Sequence, residues 1–148
     1  MRPLCACWMI LAFAAGLNAA DPPLRITFIA NEGFLFEEGP RKVLIDALWR
    51  YQEPTFGNPG PELLRRMQAG EQPFDGIQLL LVTHGDVDHF DAGLVAGFLQ
   101  GNPQARLVAP AELVEEARKQ PQMRGAESRA AGLRLALGET AERAAGGI

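Results

Sequence analysis

The sequence predicts an α/β (α+β) fold in which a β-meander leads into alternating helices and strands. Three observations support this fold class. Short apolar runs separated by turn residues come first along the chain. A nearly continuous apolar run at 77–82 then indicates a strand that is buried on both faces. After it, helical segments alternate with short apolar runs, so helices should pack on a face of the sheet.

Each predicted element has a local signal. The strands are predicted at 24–29, 33–37, 42–46, 77–82, 106–109 and 132–137. The helices are predicted at 61–69, 92–100 and 111–120, and 125–130 is predicted as a loop. Glu38-Gly39-Pro40 marks a tight turn of the meander. Pro61 near the start of the first helix and Gly70 after its end suit the two helix termini.

The segment 47–60, between the third strand and the first helix, is rich in Pro and Gly and holds Trp49, Tyr51 and Phe56. It is either a lid over a pocket or a loop held in place by its own apolar side chains. The second interpretation is preferred because neither histidines nor acidic clusters occur there.

Length and charge limit the possibilities. A chain of 148 residues allows one domain. The net charge is −4 and Lys and Arg form no stripe, whereas binding of nucleic-acid phosphates requires clustered positive charge. Nucleic acid is therefore excluded as an expected partner.

The first twenty residues have the pattern of a secretory signal peptide. Arg2 precedes an apolar run at 4–17, and the small residues Ala19 and Ala20 follow. The alternative is an uncleaved membrane anchor, but a bilayer span needs about 20 apolar residues. We therefore expect cleavage near Ala19 or Ala20, a domain over 21–148, a secreted or periplasmic location, and no stable membrane span afterwards.

Both cysteines, Cys5 and Cys7, lie within that first segment. The mature chain would therefore have no disulfide and no thiolate to offer a metal or a substrate.

One stretch, 83–91 (THGDVDHFD), is dense in reactive groups and contains both histidines of the chain. It directly follows the predicted buried strand, where α/β folds usually place ligand sites. Gly85 lets the chain bend there without a steric penalty. Four donors fall within six positions, and this mixture of imidazole and carboxylate suits Zn, Fe or Mn. They are His84, Asp86, Asp88 and His89.

Simpler interpretations explain only part of this stretch. Asp91 is expected to be the N-cap of the following helix. Asp86 and Asp88 are spaced as at the start of a calcium loop, but Phe90 and Ala92 stand where further oxygen ligands would be needed. Helix capping therefore accounts for Asp91 and leaves the other four donors unexplained.

The stretch from Thr83 to His89 resembles the T-H-x-H-x-D-H signature of the metallo-β-lactamase superfamily. The surrounding sequence is similar as well, with Val43-Leu44-Ile45-Asp46 ending the meander, LLLVTH before the motif and RLVAP after the next helix. The resemblance covers roughly 24–110. It implies an αβ/βα sandwich, of which this chain would hold only the N-terminal half.

The resemblance also implies a role for each donor. His84 and Asp86 would bind one divalent ion, and Asp88 and His89 a second. Zinc is the first expectation, with iron or manganese as alternatives. A metal-bound hydroxide would be the nucleophile, and Asp88 would also orient it as the catalytic residue. Asp46 would be structural.

Two departures from the signature leave two functions open. Asp86 stands where the superfamily has its second histidine, and no histidine follows His89. The chain is either an exported metal-dependent hydrolase of an unspecified small molecule, or a truncated or degenerate non-catalytic relative with a partial metal site. Alone it is expected to be inactive.

Half a sandwich would leave one sheet face uncovered, so poor solubility or a homodimer is expected.

Overall fold

The computed structural model describes residues 22–50, 57–136 and 138–142. These residues form a six-stranded sheet in which the strands follow their order in the chain. The strands are β1 (Leu24–Ala30), β2 (Gly33–Glu38), β3 (Arg41–Ile45), β4 (Leu79–Leu81), β5 (Arg106–Pro110) and β6 (Ala130–Leu133). The helices are α1 (Pro61–Ala69), α2 (Ala92–Gly101) and α3 (Ala111–Arg118), and two short 3-10 turns precede β6.

The sheet is mixed: β1, β2 and β3 pair antiparallel, whereas β3 to β6 pair parallel. Each parallel pair is joined by one helix, and each connection moves one strand further in the same direction. Since such crossovers are right-handed, all three helices lie on one face of the sheet. The central side chains on that face are fully buried, among them Leu35, Leu44, Leu80 and Leu107. The α/β (α+β) fold class is confirmed, as one sheet with a helix layer.

Two strand predictions need correction. The run 77–82 forms only a three-residue strand, and its side chains are not buried on both faces: Leu80 is buried, while Leu79 and Leu81 are half-buried. The last strand, predicted at 132–137, is instead β6 at 130–133. Its first three residues are small, and a Cβ added at Gly132 would lie 2.9 Å from the Cα of Ala111. The strand therefore forms where its backbone can approach α3 closely, which apolar alternation does not reveal.

The loop after β3 is anchored by Trp49, which is fully buried. This burial supports the interpretation of a loop held by its own side chains, although Tyr51 and Phe56 lie outside the described residues. The proposed signal segment 1–20, with Cys5 and Cys7, also lies outside them. Within the described ranges, no helix has the length and apolar character needed to cross a membrane.

The sheet face opposite the helices is mainly apolar and lacks a covering layer among the described residues, with the charged residues Glu38, Arg41 and Arg106 at the end away from the carboxyl ends of the parallel strands. We call it the open face. On β1, Ile26 and Phe28 are 55% and 61% exposed, and the ring of Phe28 contacts that of Phe34 edge-on at a centroid distance of 5.5 Å. The strand registers extend this face across the sheet as Leu24, Ile26, Phe28, Phe34, Phe36, Val43, Ile45, Leu79, Leu81 and Val108. Monomeric proteins rarely leave so large an apolar surface in water.

We expect the purified chain to self-associate through the open face, as a homodimer or as larger aggregates. Light scattering coupled to size exclusion would measure this. The double variant Ile26→Gln/Phe28→Gln should shift the chain toward monomer, because both changes place amides on the exposed stripe. Arg25→Gln, on the other face of the same strand, is the matched control. A monodisperse wild-type monomer with a cooperative melt would contradict the expectation.

Candidate metal centre

The stretch 83–91, here called the motif loop, lies at one edge of the sheet together with two other segments. Because β3 and β4 are parallel, their carboxyl ends meet at this edge, and Asp46 follows β3 where Thr83 follows β4. Since β2 runs antiparallel to β3, the turn between β1 and β2 reaches the same edge. The sheet therefore places Asn31, in that turn, beside residues far away in sequence.

The motif loop is fixed at its C-terminal end and by a turn within it. The backbone N–H groups of His89 and Phe90 donate to the carbonyl of Asp86, at 2.9 and 3.2 Å. Asp91 caps α2 as predicted, with its Oδ1 accepting from Leu94 N at 2.8 Å. Its own N–H donates to the Leu48 carbonyl at 2.9 Å. These bonds hold His89 at a defined position before the helix.

Gly85 was predicted to let the chain bend, but its role in the loop is different. Its φ is not positive, so the chain does not need the conformational freedom of glycine for a left-handed bend. A Cβ added at Gly85 would instead lie 2.8 Å from Cδ2 of Leu113 on α3. Glycine therefore lets the loop pass close to α3, and a larger residue would require Leu113 to move.

The four predicted donors lie together in two pairs. His84 Nε2 is 3.3 Å from Asp86 Oδ2, and His89 Nε2 is 3.9 Å from Asp88 Oδ1. The two imidazole rings stack at a tilt with centroids 3.8 Å apart. These are the same pairs that the resemblance assigns to the two ions.

The two pairs differ in their exposure to solvent. The side chains of His84 and Asp86 are 47% and 77% exposed, whereas those of Asp88 and His89 are 18% and 10% exposed. We call His84 and Asp86 the outer pair and Asp88 and His89 the inner pair. The outer pair is largely hydrated, while the inner pair lies in a less polar environment, where charge interactions are stronger.

Asp46 connects both histidines to the sheet. Its side chain is 4% exposed, and it accepts hydrogen bonds from Thr83 N at 2.8 Å and from Thr83 Oγ1 at 2.6 Å. Thr83 Oγ1 is also 2.9 Å from His84 Nδ1. A hydroxyl has one proton, and here it goes to the carboxylate, so Oγ1 accepts from His84 Nδ1–H. This assigns the tautomer in which His84 Nε2 carries a free lone pair.

His89 also has its Nδ1 on the side of Asp46. Nδ1 lies 3.1 Å from Asp46 Oδ2, but the two atoms are not aligned as a hydrogen bond, and Nδ1 is buried without another partner among the described residues. A carboxylate beside Nδ1 favours a proton on that nitrogen and leaves the lone pair of Nε2 free. Asp46 thus lies on the Nδ1 side of both histidines, away from the Nε2 atoms that approach Asp86 and Asp88.

The donor types fit a divalent transition metal, but their arrangement fits it only in part. No group of three or more His, Cys, Asp or Glu side chains in the described residues is arranged to hold an ion. Catalytic zinc normally has three protein ligands and one open position. The motif loop therefore offers pairs of candidate donors, and under the predicted roles each pair would need at least one further donor.

Two contributions to this site were not found from the sequence. The Thr83 hydroxyl forms hydrogen bonds with both Asp46 and His84, and Asn31 Nδ2 donates to Asp88 Oδ2 at 2.8 Å. Asn31 in a short turn is compatible with a left-handed backbone, but no sequence pattern reveals its partner.

A cavity of about 870 Å³ opens beside the motif loop at the carboxyl ends of β4, β5 and β6. Its lining is mainly apolar and includes Leu81, Val108 and Leu133, with Thr83, Glu112 and Arg134 among its polar residues. A small molecule in it would lie next to the motif loop.

Comparison with known proteins finds a partial similarity. No family model matches the chain. Over 92 residues, which are 62% of this chain, it is 28% identical to a protein of Aeropyrum pernix named "UPF0173 metal-dependent hydrolase". The alignment covers 31% of that relative, so the chain spans about a third of its length. The chain is therefore similar to part of a metal-dependent hydrolase.

Proposed function

We propose that this chain contributes the metal-binding loop of an exported metal-dependent hydrolase. The observation that carries the proposal is the pairing of His84 with Asp86 and of Asp88 with His89 on one loop at the carboxyl edge of the sheet. The similarity to a hydrolase from Aeropyrum pernix supports the general activity.

Under this proposal, each pair holds one divalent ion through imidazole Nε2 and carboxylate oxygens. A bound ion would supply Lewis-acid polarisation and lower the pKa of water. The chain's own residues would prepare the site. Asp46 and Thr83 hold His84 as the tautomer with a free Nε2, and Asp88 directs Oδ1 toward His89 Nε2. Zinc is the first choice and iron or manganese the alternatives, because Asp86 adds a hard oxygen donor to the outer pair.

A second candidate function is metal binding without turnover. Two observations favour it: Asp86 is 77% exposed, and three-ligand groups are absent from the described residues. An ion held by two protein groups would be hydrated and weakly bound, and it would activate water poorly. Under this alternative the motif loop is a partial metal site.

Metal content tests the proposal first. We expect the purified chain to contain Zn, Fe or Mn near one equivalent or above by elemental analysis, and the double variant His84→Ala/His89→Ala to lose it. Chromogenic esters, lactones and phosphodiesters then test turnover by the loaded chain. Metal-dependent hydrolysis that disappears in the double variant would favour the hydrolase, whereas bound metal without turnover would agree with the expected inactivity of the chain alone and would fit both functions. An equal metal content in both proteins would contradict both.

Restoring the superfamily histidine tests the outer pair. Asp86→His replaces a charged oxygen donor by a neutral imidazole, so we expect tighter binding of Zn²⁺ and weaker binding of Mn²⁺ by titration calorimetry. Asp91→Asn, which keeps a capping side chain on the same loop, is the control and should leave the ratio of the two affinities unchanged. An unaltered ratio in Asp86→His would show that position 86 is not a ligand.

Export is part of the proposal, supported by the apolar run at 4–17 and by Ala19 and Ala20. Intact mass spectrometry of the protein from periplasmic or culture fractions should give a chain beginning near Asp21. Replacing Leu11 and Phe13 with Lys should prevent export by interrupting the apolar run. A full-length chain recovered from the cytoplasm of wild-type cells would contradict the export proposal.

A further inference from the structure

The turn between β1 and β2 carries a polar contact to the motif loop. Asn31 donates its side-chain amide to Asp88 Oδ2 at 2.8 Å, across 57 residues of sequence. Asp88 is 18% exposed and belongs to the inner pair of donors. The amide therefore contacts a partly buried carboxylate, where a hydrogen bond to a charged acceptor is stronger than in water.

The backbone at Asn31 is unusual. Its φ is +45°, and among the described residues Asp46 is the only other non-glycine residue with positive φ, at +44°. Such a conformation costs free energy for a residue with a side chain, and glycine would adopt it freely. Both residues direct their side chains at the motif loop. The two unfavourable backbone conformations thus coincide with the two side chains that hold the candidate donors.

We propose that Asn31 is a positioning residue for the inner metal pair, an inference that rests on the proposed function. By donating to Asp88 Oδ2, it fixes the carboxylate with Oδ1 toward His89 Nε2, at 3.9 Å. Asp88 would then bind an ion through that one oxygen.

The chemistry of an amide suits this role. The motif loop and the end of β3 already bring together the carboxylates of Asp46, Asp86 and Asp88. A neutral donor stabilises one of them without adding negative charge and without competing as a ligand. A carboxylate at position 31 would instead repel Asp88, and a glycine would leave it free to rotate.

The test uses the full chain, with Zn²⁺ alone as the probe in titration calorimetry. Asn31→Gly retains the left-handed backbone and removes the amide, and Asn31→Asp retains the shape and replaces the donor by a carboxylate. Loss of an outer hydrogen-bond partner typically weakens metal binding by about 10-fold or more. We expect at least that loss in Asn31→Gly, a larger one in Asn31→Asp, and none in Glu32→Gln, an exposed change in the same turn.

Two further readouts separate positioning from a general effect on folding. With Co²⁺ as the probe, the visible absorption bands of Asn31→Gly should differ in position and intensity from those of the wild type, because the geometry of the ligands changes. In the metal-free chain, the side-chain amide resonance of Asn31 should move when Asp88 is replaced by Ala. A resonance that does not move would overturn the proposal, whether or not a variant is stable.

The outcomes distinguish this inference from the proposed function. Wild-type binding of Zn²⁺ with an unchanged affinity and an unchanged Co²⁺ spectrum in Asn31→Gly overturns the role of Asn31 and leaves the metal site standing. A wild-type chain that binds neither ion overturns the proposed function and this inference together. A weakened affinity with an altered spectrum, and with Glu32→Gln like the wild type, supports the positioning role.

Discussion

The candidate site depends on one interaction, the pair of hydrogen bonds from Thr83 to the buried carboxylate of Asp46. They join the end of β3 to the start of the motif loop, across 37 residues of sequence. Asp46 can accept both bonds because its strand pairs in parallel with β4, which brings the two strand ends side by side. A buried carboxylate without partners would be costly. The positive φ of Asp46 indicates that the fold keeps this arrangement against a local preference.

The two donor pairs differ in how firmly the rest of the structure holds them. The inner pair lies against the sheet, with Asp46 behind His89 and Asn31 behind Asp88. The outer pair extends into solvent, and Asp86 is held mainly by the local turn of the loop. Rigid donors in a less polar environment lose less entropy on binding an ion and interact with it more strongly. The inner pair is therefore the more rigid of the two, and Asp86 belongs to the less organised outer pair.

What the sequence could predict follows from how local each feature is. Helix α1 has its predicted bounds because Pro61 and Gly70 are local signals at its two ends. The four candidate donors and the Asp91 cap could be predicted together because they lie within eight consecutive positions, and the structure confirms the cap. In contrast, the contacts of Asn31 and of Asp46 depend on which strands lie side by side in the sheet, and the periodicity within one strand does not specify its neighbours. The predicted position of β6 was wrong for a related reason. Its small residues allow the strand to approach α3 closely, and this contact, which apolar alternation does not reveal, decides where the strand forms.

The open face and the incomplete donor pairs are related features of one structure. Leu81 and Val108 belong to the open face, and they also line the cavity that reaches Thr83, next to His84. A layer that covered the open face would therefore end beside the motif loop. Burial of these apolar side chains would contribute about 25 cal/mol for each Å² removed from water. A donor carried by the same layer could complete a pair without a separate binding event. Under the proposed function, one layer would thus both cover the sheet and complete the candidate metal site at the carboxyl edge of β4 and β5.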